Sequence, residues 1–166
     1  MQVSRRSDPA ALLDRLVAEA LPGGRGLEAW RSLLQAHATL MRRLDTDLMT
    51  ETGLGLADFD VLGQLASAGG DLRMTDLAAR VFSSRSGLTR RVARLVDEGL
   101  VSRARSDADG RGVVVALTDA GVARLHETAP VHLHGVSELF VARLDDQELA
   151  VLHSALEKVT VDCTFG

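Results

Sequence analysis

Apolar residues recur along most of this chain at helical rather than strand spacing. Leu12, Leu13, Leu16, Val17 and Leu21 line one side of Asp8–Leu21, predicting a short amphipathic helix closed by Pro22-Gly23-Gly24. Trp30, Leu33, Leu34, Ala38, Met41, Leu44 and Leu48 give Leu27–Leu48 a longer buried stripe. Gly53–Gly55 reads as a turn. Phe59, Leu62 and Leu65 mark a third helix, Leu56–Ala66, ended by Ser67–Gly70. A minimal strand at Leu72–Met74 leads into two short helical patterns. The first is Met74–Val81, with Leu77, Ala78 and Val81 apolar and Thr75 as its N-cap. The second carries Leu88, Val92, Leu95 and Val96 at i, i+4, i+7 and i+8. Phe82-Ser83-Ser84 breaks the two apart, either serine being able to cap the second, and Gly99 stops it. Leu100–Arg105 and Gly112–Leu117 then read as antiparallel strands around an Asp107–Gly110 turn. Asp119–Leu144 is expected to be one long helix kinked at Pro130. Asp145–Val161 is the last, with Leu149, Leu152, Leu156 and Val159 apolar. The predicted class is mainly α with a small β-hairpin (α+β), without internal repeats.

The face opposite the second stripe has a different chemistry. It carries Arg85, Ser86, Thr89, Arg90 and Arg94, short hydroxyls and guanidiniums of the kind that bond base edges and phosphates. From Arg85 to Arg111 seven arginines face four acids, a net +3, in a chain whose overall charge is −4. A basic island in an acidic chain is the electrostatic footprint of a nucleic-acid site. Helix, turn, helix and hairpin, in that order, is the arrangement of a winged helix-turn-helix that reads duplex DNA.

The segment Met74–Gly121 resembles the winged helix-turn-helix of the MarR (multiple antibiotic resistance regulator) family. Leu77-Ala78, Ser84-x-Ser86-Gly87-Leu88-Thr89-Arg90, Arg94-Leu95, Gly99-Leu100-Val101, Asp109-Gly110-Arg111-Gly112 and Leu117-Thr118-x-x-Gly121 carry the likeness. The resemblance implies a dimeric regulator, usually a repressor, released from DNA by a small molecule or oxidant. Ser84, Ser86, Thr89 and Arg90 are the candidates for base-edge contact, near the start of the second helix. Arg85 and Arg94 are candidates for phosphate, with an ion pair to Asp97, Glu98 or a wing acid as the alternative for Arg94. Arg111 matches the wing-tip arginine that enters the minor groove, and Asp109 is placed to orient it through a carboxylate–guanidinium pair. Gly112 stands where a second wing arginine is commoner, which implies weaker wing contacts.

The family's effector pocket points to Trp30, His37, Asp60, Arg91 and Arg103. Asp60, Arg91, Arg103 and an extra N-terminal helix resemble the urate-responsive branch, but Ala20 stands where that branch has a tryptophan. An aromatic or anionic effector is the expectation, with surface contact to phosphate as the other reading of Arg91. Residues 8–50 and 122–162 are expected to form a dimerisation region, with 55–121 as the DNA-binding domain between them. Such a homodimer places its recognition helices in successive major grooves, about 34 Å apart, and predicts a near-palindromic operator.

Composition narrows the alternatives. Aromatic content is 3%, with no Tyr, so the core is expected to be Leu, Val and Ala. No apolar run approaches membrane-spanning length and the N-terminus lacks a signal-peptide pattern, which predicts a cytoplasmic protein without a membrane partner. There is no Gly-rich phosphate loop, nucleophile elbow or metal-spaced cysteine cluster, so neither an enzyme nor a cofactor is expected. Cys163 is the sole cysteine, which excludes an intramolecular disulfide. A zinc-responsive regulator using His126 and Glu127, and a winged-helix protein-interaction module with vestigial DNA binding, are the competing readings.

Overall fold

A computed structural model describes residues 8–24, 26–81, 85–105 and 112–163. The chain divides into two units, residues 1–39 and 40–166. In the first, α1 (Pro9–Ala20) starts where Asp8 Oδ1 accepts the Ala10 N–H at 3.0 Å, with Pro9 at the first helical position. A single 3-10 turn, Pro22–Gly24, follows. No residue of α1 is buried: Leu12, Leu13 and Leu16 are each about half exposed.

The long helix α2 (Leu27–Thr52) crosses the boundary between units and runs four residues past the expected Leu48. Gly53 ends it because the chain needs a positive φ there, 71°. Of the predicted stripe only Leu44 and Leu48 are buried, while Trp30, Leu33 and Leu34 are exposed. A stripe is buried only where a partner surface meets it, and Leu44 and Leu48 meet one within the second unit.

In the second unit, α2 caps the next helix: Asp45 Oδ1 accepts the Leu56 N–H of α3 (Leu56–Ser67) at 2.8 Å. Strand β1 (Asp71–Arg73) starts one residue earlier than expected and runs straight into α4 (Met74–Arg80). Arg73, still extended, therefore takes the N-cap position assigned to Thr75, whose hydroxyl instead donates to Asp76 Oδ1 at 3.3 Å. Helix α5 (Arg85–Asp97) is followed by β2 (Val101–Arg105) and β3 (Val113–Leu117). The sheet is antiparallel in the order β1-β3-β2, with Leu72 opposite Val115 and Val115 opposite Arg103.

The core sits where these elements converge. Val61, Leu62 and Leu65 of α3, Leu77 of α4, Leu88, Val92 and Leu95 of α5, Val101 of β2 and Val115 of β3 are all essentially inaccessible. Thr118 then caps α6 (Asp119–Leu139), its hydroxyl accepting the Gly121 N–H at 3.0 Å and donating to the Gly99 carbonyl at 2.7 Å. Side by side on α6, Gly121, Thr128 and Gly135 are buried. A Cβ at Gly121 would lie 2.0 Å from the Leu100 carbonyl oxygen, and one at Gly135 would lie 2.7 Å from Leu44 Cδ2. On its inner face α6 thus has two positions, Gly121 and Gly135, where a neighbouring group comes too close for a Cβ.

Helix α6 continues through Pro130 but stops at Leu139, not Leu144. Phe140 leaves helical geometry, a 3-10 turn (Val141–Arg143) follows, and Arg143 Nε donates to the freed Glu138 carbonyl at 3.3 Å. The final helix, α7 (Asp146–Cys163), opens on a capping box. Glu148 N–H donates to Asp145 Oδ1 at 2.8 Å and Asp145 N–H to Glu148 Oε2 at 2.9 Å. No residue of α7 is buried among those described, although Leu149, Leu152 and Leu156 are half-buried. No helix here is long and apolar enough to cross a membrane, among the described residues.

Candidate nucleic-acid interface

The geometry of α5 follows from its two-sided sequence. Leu88, Val92 and Leu95 anchor one side in the core, each at 0% exposure. Ser86, Thr89 and Arg90 are left exposed on the other. Arg85 is the first residue of α5, and its side chain lies outside the described set. At the other end the helix closes with a Schellman pattern: Leu100 N–H donates to the Leu95 carbonyl and Gly99 N–H to the Val96 carbonyl, both at 2.9 Å. That closure needs Gly99 at φ 73°. It turns the chain directly into β2, so helix and wing leave one rigid corner.

On β2, Arg103 and Arg105 are exposed and face Val115 and Val113 across the ladder. Ser84, Asp109 and Arg111, the further cap, wing-support and wing-tip candidates, lie outside the described residues.

The flank of α5 carries a feature absent from the sequence reading. Asp58, in the first turn of α3, is 7% exposed, and its carboxylate takes two guanidiniums from α5. Arg91 Nη1 donates to Oδ1 at 2.6 Å, and Arg94 Nη2 donates to Oδ2. Arg94 Nε also lies 3.7 Å from Glu98 Oε1, one of the pairings expected of it. Arg91 is largely enclosed, its Nε buried without a hydrogen-bond partner. The sequence does hold a signal for this site. Asp58, Val61, Leu62 and Leu65 share one helical stripe, so an acid stands at an apolar position. A buried carboxylate requires a cation, and α5 offers two at i, i+3 spacing.

The effector candidates are divided between the units. Trp30 and His37 are exposed residues of α2 within residues 1–39, whereas Asp60, Arg91 and Arg103 belong to the second unit. Asp60 accepts from Gln64 Nε2 at 3.2 Å and does not pair with Arg91, whose carboxylate partner is Asp58. Across from α3, His132 of α6 stacks obliquely on Phe59, ring centroids 4.5 Å apart. Burial pushes the His132 imidazole below its ordinary range, with the negative charge of Asp60 pulling the other way. Its Nδ1 is buried without a hydrogen-bond partner. Among the described residues no group of three or more His, Cys, Asp or Glu is placed to hold a metal ion.

Comparison with known proteins places this arrangement. A MarR family model matches residues 52–112, from the end of α2 to the wing. The chain is similar to Sco3205, a MarR family transcriptional regulator from Streptomyces coelicolor solved in complex with DNA. They share 32% identity over 83% of this chain and 90% of that one, with a TM-score of 0.77. It is also similar to AbsC, a MarR family regulator from the same organism, at 30% identity over 81% of this chain and 91% of that one, TM-score 0.75. A mutant MarR from E. coli complexed with operator DNA aligns at 28% identity over 87% of this chain and 97% of that one, TM-score 0.70. With the winged fold, the outward hydroxyl and arginine face of α5 and identity sustained over nearly the full length of these regulators, the chain belongs to the MarR family.

Proposed function

We propose that this DNA-binding regulator acts as a repressor, binding a near-palindromic operator as a homodimer and leaving it when a small aromatic or anionic effector binds. The observation that carries the reading is the two-sidedness of α5: three core leucines and valines fix the helix while Ser86, Thr89 and Arg90 stand exposed. Ser86, Thr89 and Arg90 are assigned to base edges, together with Ser84; Arg85 is assigned to phosphate, and the wing-tip Arg111, oriented by Asp109, to the minor groove. Residues 55–121 serve as the DNA-binding domain. Residues 8–50 and 122–162 serve dimerisation, a role supported by the exposed Leu12, Leu13 and Leu16 of α1 and Val151 and Val159 of α7. Trp30, His37, Asp60, Arg91 and Arg103 remain the effector candidates.

Fluorescence anisotropy on the duplex upstream of the coding region, against a scrambled duplex across a salt series, tests the reading. The expected result is a clear preference for the native duplex with affinity falling steeply as salt rises. Arg90→Ala is expected to cost about 1–3 kcal/mol of specific binding, roughly five- to 150-fold, with less effect on the scrambled duplex. Equal binding of wild type and Arg90→Ala to the native duplex would remove Arg90 from the base-reading set.

A further inference from the structure

We propose that Asp58 is a positioning residue for DNA-site discrimination. It holds Arg91 and Arg94 on the flank of α5 and thereby sets the roll of the recognition helix while keeping two guanidiniums off the phosphates. The inference rests on the DNA-binding reading of α5 given above. Its observations are independent of any bound ligand: Asp58 is buried, both of its carboxylate oxygens are engaged, and both donors come from the one helix that is to be placed.

Geometry makes the clamp specific. Arg91 and Arg94 lie on the strip of α5 between the core stripe and the exposed face of Ser86 and Arg90. A pair of bonds at two points along a helix resists rotation about its axis, which packing of Leu88, Val92 and Leu95 alone resists less, because rounded apolar side chains slide. A turn of the helix about its own axis would carry Arg90 and Thr89 away from any base edge they meet. Charge is the second half of the argument. Asp58 and Glu98 together offset Arg91 and Arg94, so this strip adds no net charge to the DNA-facing side. Arginines left unpaired there would bind any phosphate, raising affinity for all sequences alike. Asp58 therefore favours selectivity over raw affinity.

The test uses the full-length protein. Wild type first selects its preferred duplexes from a random-sequence library, and anisotropy then compares the best selected duplex with a scrambled one across a salt series. Asp58→Asn keeps shape and removes the charge. Its affinity for the scrambled duplex is expected to rise about threefold, with a salt slope steeper by about one unit for each guanidinium that reaches a phosphate. Its preference for the selected duplex is expected to fall at least about tenfold. Arg94→Gln is the milder variant, since Arg94 is 53% exposed and Arg91 remains on Asp58. It is expected to lower the preference severalfold without a shallower salt slope. A slope shallower by about one unit in Arg94→Gln would place Arg94 on a phosphate and overturn the proposal. So would wild-type preference in both variants, or equal loss on both duplexes in both. Failure of the wild type to enrich any sequence would instead overturn the DNA-binding reading itself.

Discussion

At Gly121 the start of α6 touches the Leu100 carbonyl so closely that a methyl group would sit 2.0 Å from the oxygen. The obstacle is backbone, which cannot rotate away as a side chain can. Gly121→Ala is therefore expected to destabilise the fold by about 3 kcal/mol or more, read as a lowered urea midpoint. Gly135→Ala meets only the tip of Leu44, at 2.7 Å, and is expected to cost about 1 kcal/mol. A midpoint loss as large for Gly135→Ala as for Gly121→Ala would show that Leu44 has no room to yield. Residue-level features of this kind differ in how well the sequence displays them. Leu88, Val92 and Leu95 are legible because periodicity alone identifies a core stripe. Asp58 is legible only to a reader who asks why an acid interrupts such a stripe. Gly121 is legible as a family signature, but the contact that demands it is between backbone atoms 21 residues apart in sequence and leaves no trace in hydropathy.

Between elements, the α3–α6 packing encloses a titratable group. His132 and Phe59 stack across it, and burial holds the imidazole below the ordinary 6.5. As pH falls, the unfolded chain protonates this histidine before the folded one does. The contribution to stability is complete above about pH 6.5 and is lost as pH falls from there toward the folded value. Urea midpoints measured at pH 7.5 and about 5.5 are expected to fall in the wild type and to fall less in His132→Gln. Equal falls in both would assign the dependence to other groups. Helices and strands were legible to within a few residues, because apolar spacing and Gly or Pro punctuation mark them. The ends that differ have local causes. Arg73 enters α4 directly from a strand, displacing Thr75 from the cap, and Phe140 leaves helical geometry so that a 3-10 turn, Val141–Arg143, takes the stretch that periodicity extends into α6. The exposure of Trp30, Leu33 and Leu34 in the single chain has a different origin: hydropathy says that a face wants burial, not which surface supplies it.

For the whole molecule, the exposed apolar faces of α1 and α7 are the surfaces that a second copy would cover under the proposed function. In a two-fold interface each substitution is counted twice. Burying a leucine is worth about 1.5–3 kcal/mol, so Leu16→Glu is expected to weaken self-association by at least about a hundredfold. Sedimentation equilibrium would show it as monomer at concentrations where wild type is dimeric. Unchanged association would remove α1 from the interface. The hydroxyl of Thr118 grips the Gly99 carbonyl, its N–H donates to Leu100, and Gly121 seals the contact, so the root of the wing and the end of the recognition helix are fastened to the base of α6. A helix of 21 residues is a lever about 30 Å long with its fulcrum at that joint. Tilting its far end by about 3 Å turns the joint by only about 6°, yet recognition helix and hairpin must turn with it as one piece. Under the proposed function, whatever tilts the far end of α6 would therefore turn helix and hairpin together, without either having to change shape.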